Sequence, residues 1–577
     1  MNTIDWIILS CTVTLIIGYG LLKTRKSKTV HDYILGGNEA KWWTVGLSVM
    51  ATQASAITFL STPGQAYNDG MGFAQFYLML PVAMVIICIT FIPLYYKLKV
   101  YTAYQFLEDR FDLKTRTLAA SLFLIQRGIS AGITIYAPSI VLSSVMGWDL
   151  KMTVVIIGLI AILYTMSGGT KAVHVTHRHQ MIVIFLSLFV IFFILVSKVT
   201  QDFSFMENLK IAKANDKMQV LDFSFDLDQR YNVWSSLAAL FLFLSYFGTD
   251  QSQVQRYISG KSVRESRLGL LMNGLMKVPL QFFILFLGIL VFLFYQTNSP
   301  PLFFNEQVAQ VIRTSPKATE FSQLESEYTA LLNKRKEDNA SYIAAVRDNQ
   351  TESLPLHQDN IRKNAAAEKK LRAETKDIIT ELNENPELGL SLEANDKDYV
   401  FINFILNQLP HGLIGLLLAV IFFAAMSSTA SELNALGATT TIDIYKRSLF
   451  KTGSDAHYVT ASKGWTFFWG IVALVIAAYS NLFENLIQFV NIIGSVFYGT
   501  ILGIFLVGFY RRHIKGNAVF IGAFITQIGV ITIYFLDILP FLWLNLIGVL
   551  GVVLFSEILS LTGMDSSDEY KEIVDVN

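Results

Sequence analysis

The chain has 577 residues, of which 53% are hydrophobic and 16% are charged, and its mean hydropathy is +0.46. Because an average soluble protein carries roughly 25% charged residues, this composition excludes an ordinary soluble domain and indicates a polytopic membrane protein. Basic and acidic residues number 45 each, so the formal charge gives no support for a nucleic-acid partner. The two cysteines, Cys11 and Cys88, lie in apolar runs and are typical of packing residues.

The chain contains thirteen apolar stretches that we expect to cross the bilayer. The first, residues 5–22, has no basic segment before it and no small-residue cleavage site after it, which favours a membrane helix over a signal peptide. The others lie at 42–62, 73–97, 117–145, 150–167, 179–198, 232–256, 270–296, 411–444, 463–480, 484–509, 517–536 and 539–561. The sequence therefore predicts an all-α polytopic membrane protein of about thirteen transmembrane helices.

Basic residues cluster in every second connection between these stretches. Because lysine and arginine concentrate in short inner loops, this alternation predicts an N-terminus outside and a C-terminus inside. The clusters include Lys23, Arg25, Lys26 and Lys28; Arg256, Lys261, Arg264 and Arg267; and Arg511, Arg512 and Lys515.

A long polar segment interrupts the membrane pattern. It is rich in Ala, Leu, Glu and Lys, which are strong helix formers. We expect an extracytoplasmic helical hairpin whose turn lies at 349–359 and contains Pro355. Its function is either that of a solvated insertion or that of a docking or gating element. The predicted divisions are a membrane domain at 1–299, the insertion at 300–398, a second membrane segment at 399–561 and a cytoplasmic tail at 562–577.

Polar residues lie in the middle of the apolar stretch 42–64. They are Thr52, Gln53, Ser55 and Thr58. Since an unsatisfied polar group in hydrocarbon costs on the order of a few kcal/mol, this patch is expected to face a protein-lined or watery cavity. The sequence predicts that it forms half of a binding site and that residues 422–435 form the other half.

The second half carries two adjacent serines, Ser427 and Ser428, in a helix of small and apolar residues. Neutral hydroxyls and backbone carbonyls are suitable ligands for a small hard cation. The carbonyls would come from an interruption of the early helix near 52–55. The alternative is that these hydroxyls only support close packing of membrane helices.

Several segments together resemble the sodium/solute symporter family, which includes sodium-coupled monocarboxylate, iodide, multivitamin and glucose carriers. The resemblance covers nearly all of 4–300 and 400–560. Its segments are ATQASAITFLSTPGQAY (51–67), IYAPSIVLSSVMGWDL (135–150), TMSGGTKAV (165–173), FGTDQSQVQRYISGKS (247–262), LMKVP (275–279), AAMSSTASELNAL (424–436) and TILGIFLVGFYRR (500–512).

The resemblance implies a LeuT-type fold, in which two inverted five-helix repeats follow an N-terminal helix and precede extra ones. The first repeat would begin at 42–62 and the second at 232–256, each with a helix broken at mid-membrane. The family's shared sodium site would comprise the carbonyls of Ala51, Ala54 and Ala424 and the hydroxyls of Ser427 and Ser428.

One departure from the family limits the sodium stoichiometry. Members that bind a second sodium carry an acidic residue where this chain has His177, and further hydroxyls where it has Ala430. Because an imidazole is a poor sodium ligand, we expect one sodium ion per cycle. The cluster of His174, His177 and His179 is predicted to be loop histidines at the inner membrane face and not a zinc site.

The solute pocket is expected between the two broken helices. Three ionisable residues within spans need an explanation, because each is costly in lipid. Asp250 and Lys277 either pair with each other or bind solute. Arg127 has no obvious acidic partner in its own span, so it either grips a carboxylate, bonds backbone carbonyls at a helix break or snorkels inward. The predicted solute residues are Ser55, Thr58, Phe73, Tyr77, Arg127, Asp250, Gln251, Lys277 and Gln488.

The resulting hypothesis is a sodium-coupled secondary symporter that imports a small organic solute by alternating access. The favoured solute is an organic anion, either a monocarboxylate or an acidic sugar such as sialic acid. A neutral-sugar symporter and a proton-coupled carrier remain alternatives. An enzyme would need a nucleophile with a base, or a metal cluster, on facing helices, and the sequence shows neither. The expected partners are the solute and the lipid bilayer, with no required protein or nucleic acid, and the expected location is a bacterial inner membrane.

Overall fold

The computed structural model describes residues 2–24, 29–227, 231–390, 392–479 and 486–563. The predicted basic cluster at 25–28 and residues 564–577 of the predicted tail lie outside this part of the chain. The described residues are overwhelmingly helical, and their isolated β-bridge joins Ala40 to Gly260. The prediction of an all-α protein is confirmed.

The first eleven helices lie between residues 3 and 258. They are α1 (Thr3–Thr24), α2 (Val30–Leu35), α3 (Trp42–Gln53), α4 (Ala56–Asp69), α5 (Leu80–Leu98), α6 (Gln105–Arg110), α7 (Leu113–Met146), α8 (Leu150–Val199), α9 (Phe205–Ala214), α10 (Val233–Gly248) and α11 (Gln251–Ile258). A tighter 3-10 helix, Gly70–Met79, connects α4 to α5.

The remaining helices include the insertion and the C-terminal spans. They are α12 (Val263–Thr297), α13 (Glu306–Arg313), α14 (Ala318–Arg347), α15 (Leu354–Glu384), α16 (Val400–Gln408), α17 (Leu413–Thr439), α18 (Asp455–Ala478), α19 (Leu486–Tyr510), α20 (Gly516–Phe535) and α21 (Phe541–Leu561). A π-helical segment, Thr440–Leu449, extends α17.

Within the described residues, nine helical segments are long and apolar enough to cross a membrane, or ten if the bent pair α10–α11 is one span. This number is smaller than the thirteen apolar stretches of the sequence. One reason is that the break at 54–55 leaves α3 too short to span alone, while α4 and α5 count together as one segment, Ala56–Leu98. Another is that two predicted spans meet in α8, whose backbone is kinked at Gly169 (φ 56°, ψ −168°).

The long helices α12 and α17 organise the packing around α3. Helix α3 contacts both of them, and α17 also packs against α1, α7, α8 and α18. Nearly every residue of α17 is buried, including its polar ones. A helix buried all round lies inside a bundle, so the polar residues of α17 face neighbouring helices.

The insertion forms an antiparallel pair, α14 and α15, with a small core of its own. Leu324, Tyr328 and Leu332 of α14 pack against Ile378 and Ile379 of α15. Two paired helices thus lie where the sequence predicts a hairpin, while the bounds of the insertion and its extracytoplasmic side stay predictions.

The predicted turn at 349–359 is too long, because α15 already begins at Leu354. Pro355 therefore lies in the first turn of α15. Proline is tolerated there because its missing N–H has no partner inside the helix.

The segment that follows the hairpin α14–α15 packs directly on α4. A side chain at Gly64 would overlap with the Lys397 carbonyl oxygen. We therefore expect Gly64→Ala to destabilise the protein by about 1–3 kcal/mol, as overpacking against an immobile neighbour does, and to lower its melting temperature in detergent. The matched control is Gly72→Ala, because a Cβ at Gly72 would meet no atom within 4 Å. Equal melting temperatures for the two variants would contradict this prediction.

Candidate ion and solute site

The predicted break in the first polar span is present. Helix α3 ends at Gln53, Ala54 and Ser55 leave the helical conformation (ψ 63° and 169°), and α4 begins at Ala56. Carbonyls at the end of a helix have no amide of the next turn to accept from. Those of Thr52 and Gln53 accept instead from the hydroxyls of Ser428 (3.1 Å) and Thr58 (3.1 Å).

The two predicted halves of the site are in contact through α17. Ser427 and Ser428 are both buried, and the Ser427 hydroxyl lies 3.5 Å from the Ala424 carbonyl oxygen. One turn further, the Ser431 hydroxyl lies 3.2 Å from the Thr52 hydroxyl. Neutral oxygens from the break and from α17 therefore converge on one small volume. Such a donor set suits a small hard cation.

The histidine cluster was expected in a loop near headgroups, and this expectation is wrong. His174 and His177 are buried within α8. The His177 ring lies between α3 and α17, with Nδ1 3.0 Å from the Ser48 hydroxyl and Nε2 3.4 Å from the Ser427 carbonyl oxygen. Helix α8 continues through the residues that were predicted as a loop, so the His177 imidazole lies inside the helical bundle. The described residues contain no group of three side chains able to hold a metal of the zinc type.

The second broken helix is also present, as predicted. Helices α10 and α11 meet at an angle of 59°. Asp250 begins α11 as its N-cap, and its carboxylate accepts from the amide (2.8 Å) and the hydroxyl (2.6 Å) of Ser252. An N-cap carboxylate satisfies the free amides of the first turn. The same carboxylate faces the centre of the bundle.

A cavity of about 110 Å³ lies between the two breaks, α7, α12, α17 and α19. Five of the nine predicted solute residues line it: Ser55, Thr58, Tyr77, Arg127 and Lys277. The lining includes the aromatic residues Phe76, Phe243 and Tyr246 and the polar residues Gln53, Thr134, Ser428, Glu432, Asn491 and Tyr498. Apolar walls with a few convergent polar groups are typical of small-molecule sites.

The other four predicted solute residues, Phe73, Asp250, Gln251 and Gln488, do not line this cavity. Phe73 stacks on Phe76, with ring centroids 5.5 Å apart. The Gln251 amide accepts from the Ala103 N–H and donates to the Tyr101 carbonyl, each at 3.0 Å, and so fixes the end of α11. Gln488 is buried in α19. Asp250 instead belongs to the ion-pair network beside the cavity.

Arg127 has two acidic partners on other helices, an arrangement that none of the roles predicted for it includes. Its guanidinium pairs with Asp250 at the second break and with Glu432 of α17, the latter at 3.0 Å. The Tyr498 hydroxyl of α19 accepts from Arg127 and donates to Asp250 at 2.8 Å. These partners lie on three different helices, α11, α17 and α19, which surround the Arg127 side chain. The two carboxylates neutralise the charge of this buried guanidinium, although its Nε–H has no hydrogen-bond partner among the described residues.

Lys277 differs from Arg127 in its partners. The predicted Lys277–Asp250 pair is not formed, since Asp250 is occupied by Arg127 and Tyr498. Lys277 is only 2% exposed, yet no carboxylate of the described residues forms an ion pair with it. Its ammonium lies over the Tyr77 ring, 5.9 Å from the centroid. Among the cavity side chains of the described region, Lys277 is thus the cation without an acidic partner.

Sequence reasoning missed Glu432, Tyr498 and Thr134. Thr134 donates to the second oxygen of Glu432 at 2.9 Å, so both oxygens of this carboxylate are bound. A signal for Glu432 was available, because an acidic residue inside an apolar span is costly and marks a functional or paired position. No comparable signal marks Tyr498 or Thr134, since tyrosine and threonine are common in membrane helices.

Two membrane helices broken at mid-span around a small polar cavity define the class of secondary transporters. A profile of the sodium:solute symporter family matches residues 33–315 and 383–528, which is more than half of the chain. The chain belongs to this family. Residues 316–382, which include α14 and most of α15, lie between the matched ranges.

Relatives in this family are transporters. The chain is 28% identical over 273 residues to sodium-coupled monocarboxylate transporter 2 of Bos taurus, an alignment that covers 47% of this chain and 44% of the relative. It therefore spans less than half the length of that relative. It is 24% identical over 548 residues to the sodium/sialic acid symporter SiaT of Proteus mirabilis, which covers 93% of this chain and 90% of SiaT.

A solved structure of a sodium-coupled sialic acid symporter, in a substrate-bound outward-open state, superposes with a TM-score of 0.73 at 23% identity. The superposition covers 97% of this chain and 98% of the other. The two chains share a fold.

Proposed function

We propose that this chain is a sodium-coupled symporter that moves a small organic anion across a membrane. The observation that carries the proposal is the contact between the α3–α4 break and the paired serines of α17. The family resemblance assigns sodium to the carbonyls of Ala51, Ala54 and Ala424 and the hydroxyls of Ser427 and Ser428. Membership in the sodium:solute symporter family supports this assignment.

One sodium ion per cycle remains the expected stoichiometry. His177 adjoins the Ser427 carbonyl oxygen, where a second ion would need an anionic oxygen ligand. Imidazole nitrogen is not a hard ligand of the kind that sodium prefers. The position beside Ser427 is therefore filled by a side chain that stabilises the serine helix without a second cation.

The anionic character of the solute follows from Lys277. A buried ammonium without an ion-pair partner is costly, and a carboxylate in the cavity would supply the missing charge. A cavity of about 110 Å³ favours a short monocarboxylate over an acidic sugar in this conformation, because drug-sized ligands occupy sites of roughly 300–1,000 Å³. The apolar wall around Phe76 and Phe243 suits the hydrocarbon part of such a solute.

Coupling follows from where the sodium ligands lie. They belong to the end of α3 with the break that follows it and to α17, so an ion bound between them holds these elements together. If the bound arrangement also shapes the cavity at Ser55 and Thr58, sodium raises solute affinity and solute raises sodium affinity by the same factor. The membrane potential adds ~2.3 kcal/mol per charge per 100 mV to inward movement of the ion.

The finer architecture belongs to the same proposal. It comprises thirteen spans, two inverted five-helix repeats, an outer N-terminus and an inner C-terminus, and the alternation of basic loops supports this orientation. The divisions at 1–299, 300–398, 399–561 and 562–577 then separate the carrier, its outer insertion and an inner tail. A bacterial inner membrane is the proposed location, and the solute and the bilayer are the proposed partners.

The proposal is tested by uptake into proteoliposomes. Radiolabelled short monocarboxylates, an acidic sugar, neutral sugars and amino acids are compared in sodium and in choline. Uptake of a monocarboxylate that requires sodium supports the proposal. Uptake driven by a proton gradient in choline, or sodium-dependent uptake of neutral sugars alone, would replace it with one of the other carriers.

Lys277→Met is expected to raise the half-saturating concentration of the carboxylate solute by about tenfold or more. The physical reason is that hydrogen bonds to charged groups contribute roughly 1.5–3 kcal/mol. Leu275→Met on the same helix is the matched control, because Leu275 is 69% exposed and points away from the cavity. An unchanged half-saturating concentration in Lys277→Met, measured at saturating sodium, would remove the charge argument.

A further inference from the structure

A second cavity, of about 630 Å³, lies between the hairpin α14–α15 and the membrane helices. Tyr67 and Asp69 at the end of α4, Phe292 of α12 and the segments 215–217 and 396–397 complete its wall. The family profile omits residues 316–382, so family membership assigns nothing to this space.

The cavity wall carries an excess of basic residues. Four acidic side chains line it, and each is already paired. Glu368 bonds Arg335 at 2.6 Å and Arg372 at 3.2 Å. The other pairs are Asp69–Lys397 (3.3 Å), Asp396–Arg372 (3.5 Å) and Asp216–Arg362 (3.0 Å).

Three lysines of the wall, Lys217, Lys369 and Lys376, are left outside these pairs. No carboxylate of the described residues forms an ion pair with them. The Lys217 ammonium donates to the Asn68 carbonyl and lies 5.1 Å from the centroid of the Phe292 ring. Burial lowers the pKa of Lys217 to about 8, and a bound anion would raise this pKa again by stabilising the ammonium.

We infer that this cavity is a second binding site, which takes a small organic anion with one or two carboxylates. With the four carboxylates already paired, the ammonium groups of Lys217, Lys369 and Lys376 give the wall a positive charge that an anion would neutralise. The volume lies within the range of roughly 300–1,000 Å³ that is typical of small-molecule sites. Tyr67 and Phe292 provide apolar surface for the carbon skeleton.

The site joins the insertion to the first broken helix. The wall of this second cavity includes the C-terminal end of α4. The N-terminal end of α4 carries Thr58 and directly follows Ser55, and both residues line the central cavity. An anion held between the hairpin lysines and Lys217 therefore stabilises the contact of the hairpin with α4. Binding at this site does not depend on the proposed transport activity.

Succinate is the probe, and succinamide is its uncharged counterpart. The full chain in detergent is titrated by calorimetry in choline buffer without sodium. We expect saturable succinate binding near one per chain and none of succinamide. The double variant Lys369→Glu/Lys376→Glu should weaken binding at least about tenfold, since 1.4 kcal/mol corresponds to that factor.

Lys370→Glu is the matched control, because Lys370 is an exposed lysine like its neighbour Lys369 but lies outside the cavity wall. It should leave binding unchanged, and all variants should keep the parental melting temperature. Lys277→Met separates the two cavities. Succinate binding that survives Lys369→Glu/Lys376→Glu but disappears in Lys277→Met overturns the inference, and so does an absence of binding in the parent.

The source of the anion is read from uptake of radiolabelled succinate into proteoliposomes. Uptake identifies the bound anion as a solute on its way to the central cavity. Binding without uptake identifies a separate ligand of the insertion. Both results support the second site, because each presupposes binding that depends on the hairpin lysines.

Discussion

Replacing Ser428 by alanine is expected to raise the sodium concentration for half-maximal uptake by about tenfold or more. The Ser428 hydroxyl lies 3.1 Å from the Thr52 carbonyl oxygen at the α3–α4 break. It is therefore an α17 group in direct contact with the end of α3, next to the break, as Ser431 is one turn further. Since hydrogen bonds and ligand contacts to charged groups are worth roughly 1.5–3 kcal/mol, losing one of five oxygen ligands lowers sodium affinity by at least that factor.

The measurement is initial uptake of solute into proteoliposomes as a function of sodium at fixed membrane potential. Reciprocal linkage predicts a second effect, namely that Ser428→Ala raises the half-saturating solute concentration at low sodium and much less at high sodium. A variant that changes only folding would lower the maximal rate at all sodium concentrations.

Thr439→Ala is the matched control for this experiment. Thr439 is a buried hydroxyl residue on the same helix, 11 residues further, or ~16 Å along the axis. It should leave the sodium dependence unchanged. Wild-type sodium dependence in Ser428→Ala would place the ion elsewhere and remove the basis for sodium coupling at this contact.

The broken helices could be predicted because each interruption is visible as a polar group inside an apolar run. Thr52 to Ser55 and Gly248 to Gln251 are costly in hydrocarbon unless they face protein or water. The adjacent serines of α17 carry the same signal. These positions are defined by local composition, so they required no knowledge of how the helices pack.

The partners of Arg127 could not be predicted in the same way. Asp250 and Glu432 lie 123 and 305 residues away in the chain, on different helices. Their meeting depends on the rotation and tilt of α7, α11 and α17, which hydropathy does not specify. For the same reason the sequence predicts His177 in a loop. Helix α8 instead continues past the kink at Gly169 and brings the His177 ring to the Ser427 carbonyl oxygen.

The ion pairs in the structure exchange the roles that the sequence predicts for Arg127 and Lys277. The sequence shows no acidic partner for Arg127 in its own span and predicts that Lys277 either pairs with Asp250 or binds solute. In the structure, Arg127 holds both carboxylates, and Lys277 faces the cavity without one. A solute carboxylate is thus expected to depend on Lys277, whereas Arg127 holds together the elements around the cavity.

Arg127→Gln is accordingly expected to destabilise the protein by about 3–5 kcal/mol, the cost of leaving a buried charge unpaired. Two carboxylates, Asp250 and Glu432, would lose their shared cation at once. The measurement is the melting temperature and the monodisperse yield in detergent. If Arg127 instead gripped the solute as a free guanidinium, the variant would fold normally and lose only solute affinity.

A double-substitution cycle separates these outcomes. Adding Asp250→Asn to Arg127→Gln removes one of the stranded charges, so the double variant should be more stable than the sum of the single effects by about 0.5–3 kcal/mol, as for residues in one network. Arg116→Gln/Asp250→Asn is the control pair, because Arg116 binds Asp443 and Glu108 and does not contact Asp250. Its two effects should add. Additivity in the Arg127 cycle as well would mean that the guanidinium does not stabilise Asp250, and the structural role of Arg127 would then be wrong.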